Sequence, residues 1–177
     1  MKYTVIKNGK YTGVTYDELN DKIIDHHASQ GEMIVPVETP PQPIDIKDDI
    51  PVYGEASLDD IKKGKILMLN LTFETELAKG YETSSGIKLA ATPTDYQFYA
   101  VGKERAKRKI EKGEQNPTIA RMKDWYGNIH KDVPASDYIA MIEELEEYLE
   151  NLWCHKVDLE EQVWAATTIE EVEVIKW

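Results

Sequence analysis

The sequence predicts an α+β protein that is mainly helical, and three observations lead to this prediction. Near its start, Asn8-Gly9 separates two short β-prone runs, which is the strongest short-range signal of a β-hairpin. A segment with four prolines follows at 39–56, where a stiff, extended connector is expected. From Ser136 to Trp177 the chain contains no glycine or proline, as expected for long helical structure.

These observations divide the chain into three predicted parts. Residues 1–38 form a small ββαβ unit, in which a β-hairpin is followed by a helix and a strand. Residues 39–56 form an extended, proline-rich linker or arm. Residues 57–177 form a helical domain that contains two β-hairpins and one long helix.

The first part is predicted to begin with strands in "YTVI" and "YTGV". Thr15 and Glu18 have the spacing of a capping box, which predicts a helix of about four turns that ends at Gly31. "EMIVPVE" then predicts a third strand. Because proline cannot donate a backbone hydrogen bond, Pro36 places this strand at a sheet edge or ends it.

In the third part, Ser57 is predicted to cap a helix that stops at Gly80. "YETSSGIKLAA" predicts a hairpin that turns at Ser85-Gly86. A second helix is then expected, which starts with threonines and Pro93 and ends in glycine. A further hairpin is predicted in "IARMKDWYGNIHKDV", turning at Gly127-Asn128.

The last large segment is predicted to form one long helix with Ser136 as its N-cap. Its apolar residues recur in alternating steps of four and three, and this 3.5-residue repeat favours a supercoiled seam. The repeat consists of Tyr138, Ile142, Leu145, Leu149, Leu152, Lys156, Leu159, Val163 and Ala166. A short helix capped by Thr167 or Thr168 is expected to follow.

Two interpretations of this repeat remain open. In the first, the long helix packs on the preceding helices of the same chain. In the second, two or three copies of the chain pair their long helices, with Lys156 fixing the register. A second apolar row at Met141, Tyr148 and Trp153 widens the stripe beyond a coiled-coil seam. This row favours packing within the chain as at least part of the answer.

The composition limits the classes to which the protein belongs. The chain has 177 residues, of which 41% are hydrophobic and 31% are charged, as in a folded protein of one ordinary domain or two small ones. The net charge of −12 repels phosphate backbones, so we expect no nucleic-acid partner. No apolar run approaches the roughly 18 residues that a membrane span needs, so we expect no membrane partner.

Two local features of the composition add to these limits. The single cysteine, Cys154, excludes an internal disulfide, so we expect folding in a reducing compartment or without regard to redox conditions. The segment 102–112 has six Lys or Arg against two Glu. Such a run is more often a solvated helix face that pairs with nearby acidic segments than a docking patch for a partner.

No combination of residues predicts catalysis or metal binding. Cys154 and His155 are adjacent, so on a helix their side chains point about 100° apart and do not face each other. His26 and His27 diverge in the same way, and we expect them at a solvated helix end. Motifs for phosphate loops, serine hydrolases and zinc proteases are missing from the sequence. We therefore predict a structural or interaction protein with no catalytic residue, no cofactor and no metal.

The last two thirds of the chain resemble a known family. "SSGIKLAATPTDYQFY" reads as a hairpin and a helix, and "WYGNIHKDVPASDYIAMI" as a hairpin that enters a long helix. With the closing run "LWCHKVDLEEQVWAATTIEEVEVIKW", residues 57–177 resemble the uncharacterised domain of tailed-phage and prophage tail proteins, which is associated with tail fibres or tail assembly. The family ending is similar to A-x-T-x-E-E-L-x-x-I, and Val172 stands here in place of its leucine.

The resemblance implies a non-enzymatic structural component of a phage tail, which attaches or connects a tail fibre or baseplate through protein–protein contacts. Its location would be the virion tail, after synthesis in the cytoplasm of a bacterial host. The implied partners are fibre, baseplate or tail-tube proteins, and a homodimer or homotrimer is left open. The alternative is a chaperone that assists fibre assembly and leaves the particle. An enzyme or an anti-host factor is a third and weaker interpretation.

Tryptophan and tyrosine are enriched at interface hot spots, so the apolar repeat and the tryptophans are the predicted contact residues. They are Tyr138, Ile142, Leu145, Leu149, Leu152, Trp153, Leu159, Val163, Trp164, Trp177 and Trp125.

Overall fold

The computed structural model describes residues 2–47 and 50–177. Within them the chain forms five helices and nine short strands, which confirms the predicted α+β, mainly helical class. The chain forms two compact units. The first comprises residues 1–72 and 156–177, and the second comprises residues 73–155. This division differs from the predicted boundaries 1–38, 39–56 and 57–177, because the end of the chain packs with its beginning in one unit.

The elements of the first unit come from both ends of the chain. They are β1 (Lys2–Lys7), β2 (Lys10–Tyr16), α1 (Asp21–Ser29), β3 (Met33–Val37), β4 (Asp45–Lys47), β5 (Ile50–Val52), the first part of α2 (Leu58–Ala78), the last part of α4 (Ala135–Ala165) and α5 (Ile169–Val174).

The first three strands form an antiparallel sheet in the order β2-β1-β3. Asn8 and Gly9, with φ values of 51° and 72°, supply the left-handed backbone that a two-residue hairpin turn needs, so the predicted hairpin is confirmed. β3 lies at the edge of the sheet, as Pro36 predicted.

The first helix begins later than predicted and is shorter. The capping box predicted at Thr15 is wrong, because Thr15 pairs with Thr4 inside the sheet. α1 begins instead at Asp21, after Asn20, whose side chain accepts a hydrogen bond from the Ile23 backbone N–H at 3.1 Å. Asparagine caps helices at least as well as threonine. Asn20 therefore caps α1, and Thr15 remains in β2.

The predicted proline-rich arm contains a hairpin. β4 and β5 pair antiparallel, and the Ala56 backbone N–H donates to the carbonyl of Gly9 at 2.8 Å. The alternation of isoleucine with polar residues that follows the prolines is itself a strand pattern, which accounts for the difference from a fully extended arm. Residues 48 and 49 of that arm lie outside the described residues.

The core of the first unit joins the sheet to helical residues from both segments. Its buried members include Ile6, Val35, Ile61, Leu69, Leu159, Val163 and Val172. Gly64 in α2 permits close packing on β3, because a Cβ atom there would lie 2.7 Å from the Met33 sulfur and 2.9 Å from Val35 Cγ2.

The second unit consists of two hairpins and helical residues. It contains the end of α2, β6 (Tyr81–Glu82), β7 (Lys88–Leu89), α3 (Pro93–Glu111), β8 (Thr118–Lys123), β9 (Ile129–Pro134) and the first part of α4. Both predicted hairpins are confirmed. Their turns are centred earlier than predicted, at Ser84-Ser85 and Trp125-Tyr126, because the backbone N–H groups of Gly86 and Gly127 donate to the carbonyls of Thr83 and Asp124. The second predicted helix is also confirmed, with Thr92 as its N-cap and Pro93 in its first turn.

Helix α4 begins at Ala135, so the prediction that Ser136 is its N-cap is wrong. The Ala135 backbone N–H donates to the carbonyl of Pro117 at 2.8 Å. The β8–β9 ladder therefore continues to the first residue of the helix and satisfies a donor that a side-chain cap would otherwise satisfy. None of the helices within residues 2–47 and 50–177 is long and apolar enough to cross a membrane.

Candidate interaction surface

The turn of the β8–β9 hairpin is held by one buried carboxylate. Asp124 is only 7% exposed, and it accepts hydrogen bonds from the backbone N–H of Asn128 at 2.8 Å and from the side-chain amide of Asn128 at 2.9 Å. Nε2 of His130 lies 3.0 Å from the same carboxylate. Burial alone would raise the pKa of Asp124, but the hydrogen bonds with His130 and Asn128 outweigh burial and lower the pKa to about 2.

Trp125 and Tyr126 lie in this turn, and both side chains are partly exposed to solvent. Their exposed fractions are 42% and 67%, and their rings meet edge to face at a centroid distance of 5.0 Å. The indole N–H of Trp125 donates to the Ala78 carbonyl at 3.1 Å, and its backbone N–H donates to the Lys88 carbonyl at 2.8 Å. The Lys88 ammonium lies 4.3 Å from the centre of the Trp125 ring, which is cation–π geometry.

Gly80 lies beside Trp125 and leaves no room for a larger residue. Its φ of +70° is in the left-handed region that favours glycine. A Cβ atom at this position would lie 2.5 Å from Cδ1 of Trp125 and 2.6 Å from the carbonyl oxygen of Leu89. The position of the Trp125 ring therefore depends on the loop that ends α2 as well as on its own hairpin.

A cleft of about 570 Å³ borders Trp125. The residues that line it are Ala90, Thr92, Asp95, Phe98, Tyr99, Arg121, Met122, Lys123, Asp124, Trp125 and Tyr138. Phe98 is 73% exposed, and Ile129, at the start of β9, is 53% exposed. We refer to Trp125, Tyr126 and Ile129 as the hairpin surface. Sequence reasoning predicted only Trp125 of these three, because the turn motif does not show which of its neighbours remain outside the core.

The predicted apolar repeat of α4 is largely buried within its own chain. Tyr138, Ile142 and Leu145 belong to the core of the second unit. Leu159 and Val163 belong to the core of the first unit. Leu149 and Leu152 are partly buried against the core of the second unit. The structure thus supports the interpretation in which the helix packs within the chain, and the fully buried members are not accessible to a partner.

The remaining predicted contact residues are tryptophans, and most of them are exposed. Trp153 is 54% exposed and packs edge to face on Phe73, with 6.1 Å between ring centres. Trp164 is 52% exposed, and its backbone carbonyl accepts a hydrogen bond from the Lys62 ammonium at 2.8 Å. Trp177 is half-buried and packs against the core of the first unit. The accessible predicted contacts are therefore Trp125, Trp153 and Trp164.

The environment of His27 differs from the prediction of a solvated helix end. His27 is 5% exposed, with its Nε2 2.8 Å from the Tyr16 hydroxyl and its Nδ1 2.7 Å from the Glu32 carboxylate. The Lys7 ammonium donates to the other oxygen of Glu32 at 2.9 Å. Hydrogen bonds with His27 and then Lys7 lower the pKa of Glu32. The partners of His27 lie on β2 and before β3, and no local pattern in α1 reveals them.

The other residues considered for chemistry do not converge on a site. Cys154 and His155 are both exposed on α4. Across the described ranges 2–47 and 50–177, no group of three or more His, Cys, Asp or Glu side chains is placed to hold a metal ion.

Comparisons of the chain with protein-family models, curated proteins and solved structures gave no match. The resemblance to phage tail proteins stays a prediction.

Proposed function

We propose that the protein is a non-enzymatic component of a phage tail that attaches a fibre or baseplate protein through the hairpin surface. The observation that carries the proposal is Trp125, which is 42% exposed although four contacts hold it in place. The resemblance of residues 57–177 to tail proteins supplies the biological setting of the proposal.

A rigid, exposed tryptophan suits a binding role for an energetic reason. Association is opposed by the loss of side-chain freedom, which costs about 0.5–1.5 kcal/mol for each flexible side chain that becomes immobilised. Trp125 is already held by its hydrogen bonds to Ala78 and Lys88, so little further ordering is required. Large aromatic side chains also dominate the energetics of protein interfaces. The neighbouring Tyr126 and Ile129 extend the apolar area.

The setting of the hairpin surface supports specificity as well as affinity. The adjoining cleft combines aromatic side chains with both signs of charge, namely Asp95 and Arg121. Charged groups at the rim of an interface select partners and fix orientation more than they add affinity. A partner that places an apolar side chain against Trp125 can thus be selected by the charges beside it.

Site-specific cross-linking in assembled particles tests the proposal. A photoreactive amino acid at position 126 is expected to cross-link to another tail protein, whereas the same amino acid at Lys22, an exposed position on α1, serves as the control. Recovery of the polypeptide in purified particles with a cross-link from position 126 supports the proposal. Absence of the polypeptide from particles, together with misfolded fibres when its gene is deleted, contradicts it and indicates the chaperone alternative.

A further inference from the structure

The β8–β9 hairpin places three cations on one exposed face. In the antiparallel register Arg121 lies directly opposite Lys131, and Lys123 lies opposite Ile129. All four residues are exposed. Met122, which lies between Arg121 and Lys123 in β8, is buried, because successive side chains of a strand point to opposite faces. We refer to Arg121, Lys123 and Lys131 as the basic face.

The basic face has no acidic partner within its own chain, although the chain is rich in acids. Like charges directly opposite each other across two strands are destabilising, so the pair of Arg121 and Lys131 lowers the stability of the hairpin. The sequence contains 33 Asp and Glu against 21 Lys and Arg, and none of the acids in the described part of the chain forms an ion pair with the basic face. Arrangements that break a local rule of stability in this way are expected at functional surfaces.

The basic face adjoins the apolar side chains of the hairpin surface. The side chain of Lys123 lies beside the turn, since a Cβ atom at Gly127 would be 3.7 Å from Cε of Lys123. A further cation, the Lys88 ammonium, lies 4.3 Å from the centre of the Trp125 ring and 5.9 Å from the centre of the Tyr126 ring. Exposed aromatic side chains and cations therefore occupy one continuous part of the hairpin.

The acids that line the adjoining cleft already have hydrogen-bond donors within the chain. The Asp95 carboxylate accepts a hydrogen bond from the Thr92 hydroxyl at the beginning of α3, and Asp124 is held by the turn. Arg121 and Lys123 line the same cleft without such partners. A segment that covers the cleft removes these cations from water, and an unpaired charge that loses its water is costly. The bound segment therefore has to supply carboxylates.

We propose that the hairpin surface binds an acidic peptide segment that carries an aromatic or aliphatic side chain. This inference rests on the proposed function and adds the chemistry of the partner. The apolar side chain of the segment packs against Tyr126 and Ile129, and its carboxylates pair with the basic face. A nucleic acid also offers negative charge and stacking, but the net charge of −12 repels a long polyanion, whereas a short acidic segment meets only the basic face.

Selection of peptides tests this chemistry without a known partner. A random peptide library displayed on yeast is selected on the immobilised full chain at low salt, and the recovered peptides are synthesised for binding measurements by fluorescence anisotropy. We expect enrichment of peptides in which Asp or Glu lies next to an aromatic residue or leucine. Their binding is expected to weaken as salt is added, because salt screens charges at a solvated surface.

A variant that removes the opposed cations gives two readouts of opposite sign. Arg121→Gln with Lys131→Gln is expected to weaken binding of the selected peptides by about five- to tenfold, because two exposed ion pairs are lost. The same variant is expected to raise the thermal midpoint of the free protein, because the repulsion between the two strands is removed. Lys22→Gln with Arg105→Gln removes the same charge at exposed positions on α1 and α3 and is expected to leave the binding of the peptides unchanged.

Three results would overturn the inference: a selection that recovers no excess of acidic peptides, equal binding of the peptides to the variant and the control, or tighter binding of a thymidine oligonucleotide than of the peptides. The last result would indicate a nucleic-acid partner. These failures are distinguishable from failure of the proposed function. The cross-link from position 126 reports attachment in the particle, whereas the selection reports only the chemistry that the surface binds.

Discussion

The hydroxyl of Tyr138 lies so close to Gly102 that a Cβ atom at that glycine would overlap it. The same hydroxyl donates to the carbonyl of Tyr99 at 3.2 Å, so a hydrogen bond holds it there. Burial raises the pKa of Tyr138 to about 12, and it therefore remains a donor at every pH at which the protein is handled. One close contact between α3 and α4 is thus formed by a glycine and a tyrosine.

Replacement of Gly102 by alanine is expected to destabilise the protein. Alanine favours a helix by about 1 kcal/mol over glycine, but overpacking of a well-packed contact typically costs about 1–3 kcal/mol, and here the overlap involves a hydrogen-bonded side chain. We expect the cost to exceed the gain, so the free energy of unfolding measured by urea denaturation should be lower in the variant. Gly54→Ala, where the nearest atom to a new Cβ lies at 3.9 Å, is the control. A more stable Gly102→Ala variant would show that the two helices separate easily at this point.

Gly80→Ala and Gly86→Ala form a matched pair that tests the packing at Gly80, where a Cβ atom would meet both the Trp125 ring and the Leu89 carbonyl oxygen. Both glycines have a positive φ, 70° and 77°, so both substitutions have a similar backbone cost of about 1 kcal/mol. Only at Gly80 does a Cβ meet the Trp125 ring. We expect Gly80→Ala to cost more in stability and to alter Trp125 fluorescence relative to a Trp125→Phe reference. An equal loss of stability in Gly80→Ala and Gly86→Ala would show that the close packing around Gly80 does not matter.

The lowered pKa of Asp124 predicts that the stability of the protein depends on pH. Its pKa in the folded protein is lowered to about 2, below the ordinary value of about 3.9 for aspartate. Its ionised form therefore contributes stability that is fully present above about pH 4 and is lost as the pH falls towards 2. Asp124→Asn should flatten this part of the profile of thermal midpoint against pH. Asp158→Asn, at an exposed position on α4, should leave the profile as it is, and an unchanged profile in Asp124→Asn would exclude the assignment.

His27→Ala is expected to be much more destabilising than His26→Ala. The first substitution leaves Tyr16 and Glu32 without the ring that bridges them, and an unsatisfied buried polar group costs about 1–3 kcal/mol. His26 is exposed on the same helix, and surface substitutions usually change stability by less than about 0.5 kcal/mol. Denaturant titrations of the two variants make the comparison. Similar midpoints would mean that solvent replaces the bridge at little cost.

Local patterns in the sequence were sufficient for most of the secondary structure. The turn at Asn8-Gly9 depends on backbone conformations that few residues adopt, so it could be predicted from a short motif. The turn predicted at Gly127-Asn128 is centred instead on Trp125 and Tyr126, and only Gly127 of the predicted pair has a positive φ. Thr15 was misassigned because a capping motif and a strand compete for the same residue, and pairing with Thr4 across the sheet decides between them. That pairing is not visible in the local sequence.

The environments of side chains were harder to predict than the secondary-structure elements. The periodicity of α4 correctly marks a buried stripe, but it does not show that Leu145 and Leu159 enter different cores. His27 is bridged by residues 11 positions before it and 5 positions after it, and such pairing depends on the fold of the whole sheet. Among the hairpin-surface residues only Trp125 was predicted, because residue type alone does not determine exposure.

The division of the chain into units has a consequence for its synthesis on the ribosome. The core of the first unit needs Leu159, Val163 and Val172 from residues 156–177 as well as Ile6 and Val35. Residues 73–155 form a continuous segment and can fold before residues 156–177 have been translated. The sheet formed by β1, β2 and β3 is translated before residues 156–177, so part of its apolar surface stays uncovered until those residues emerge, and during that interval it is exposed to chaperones and to aggregation.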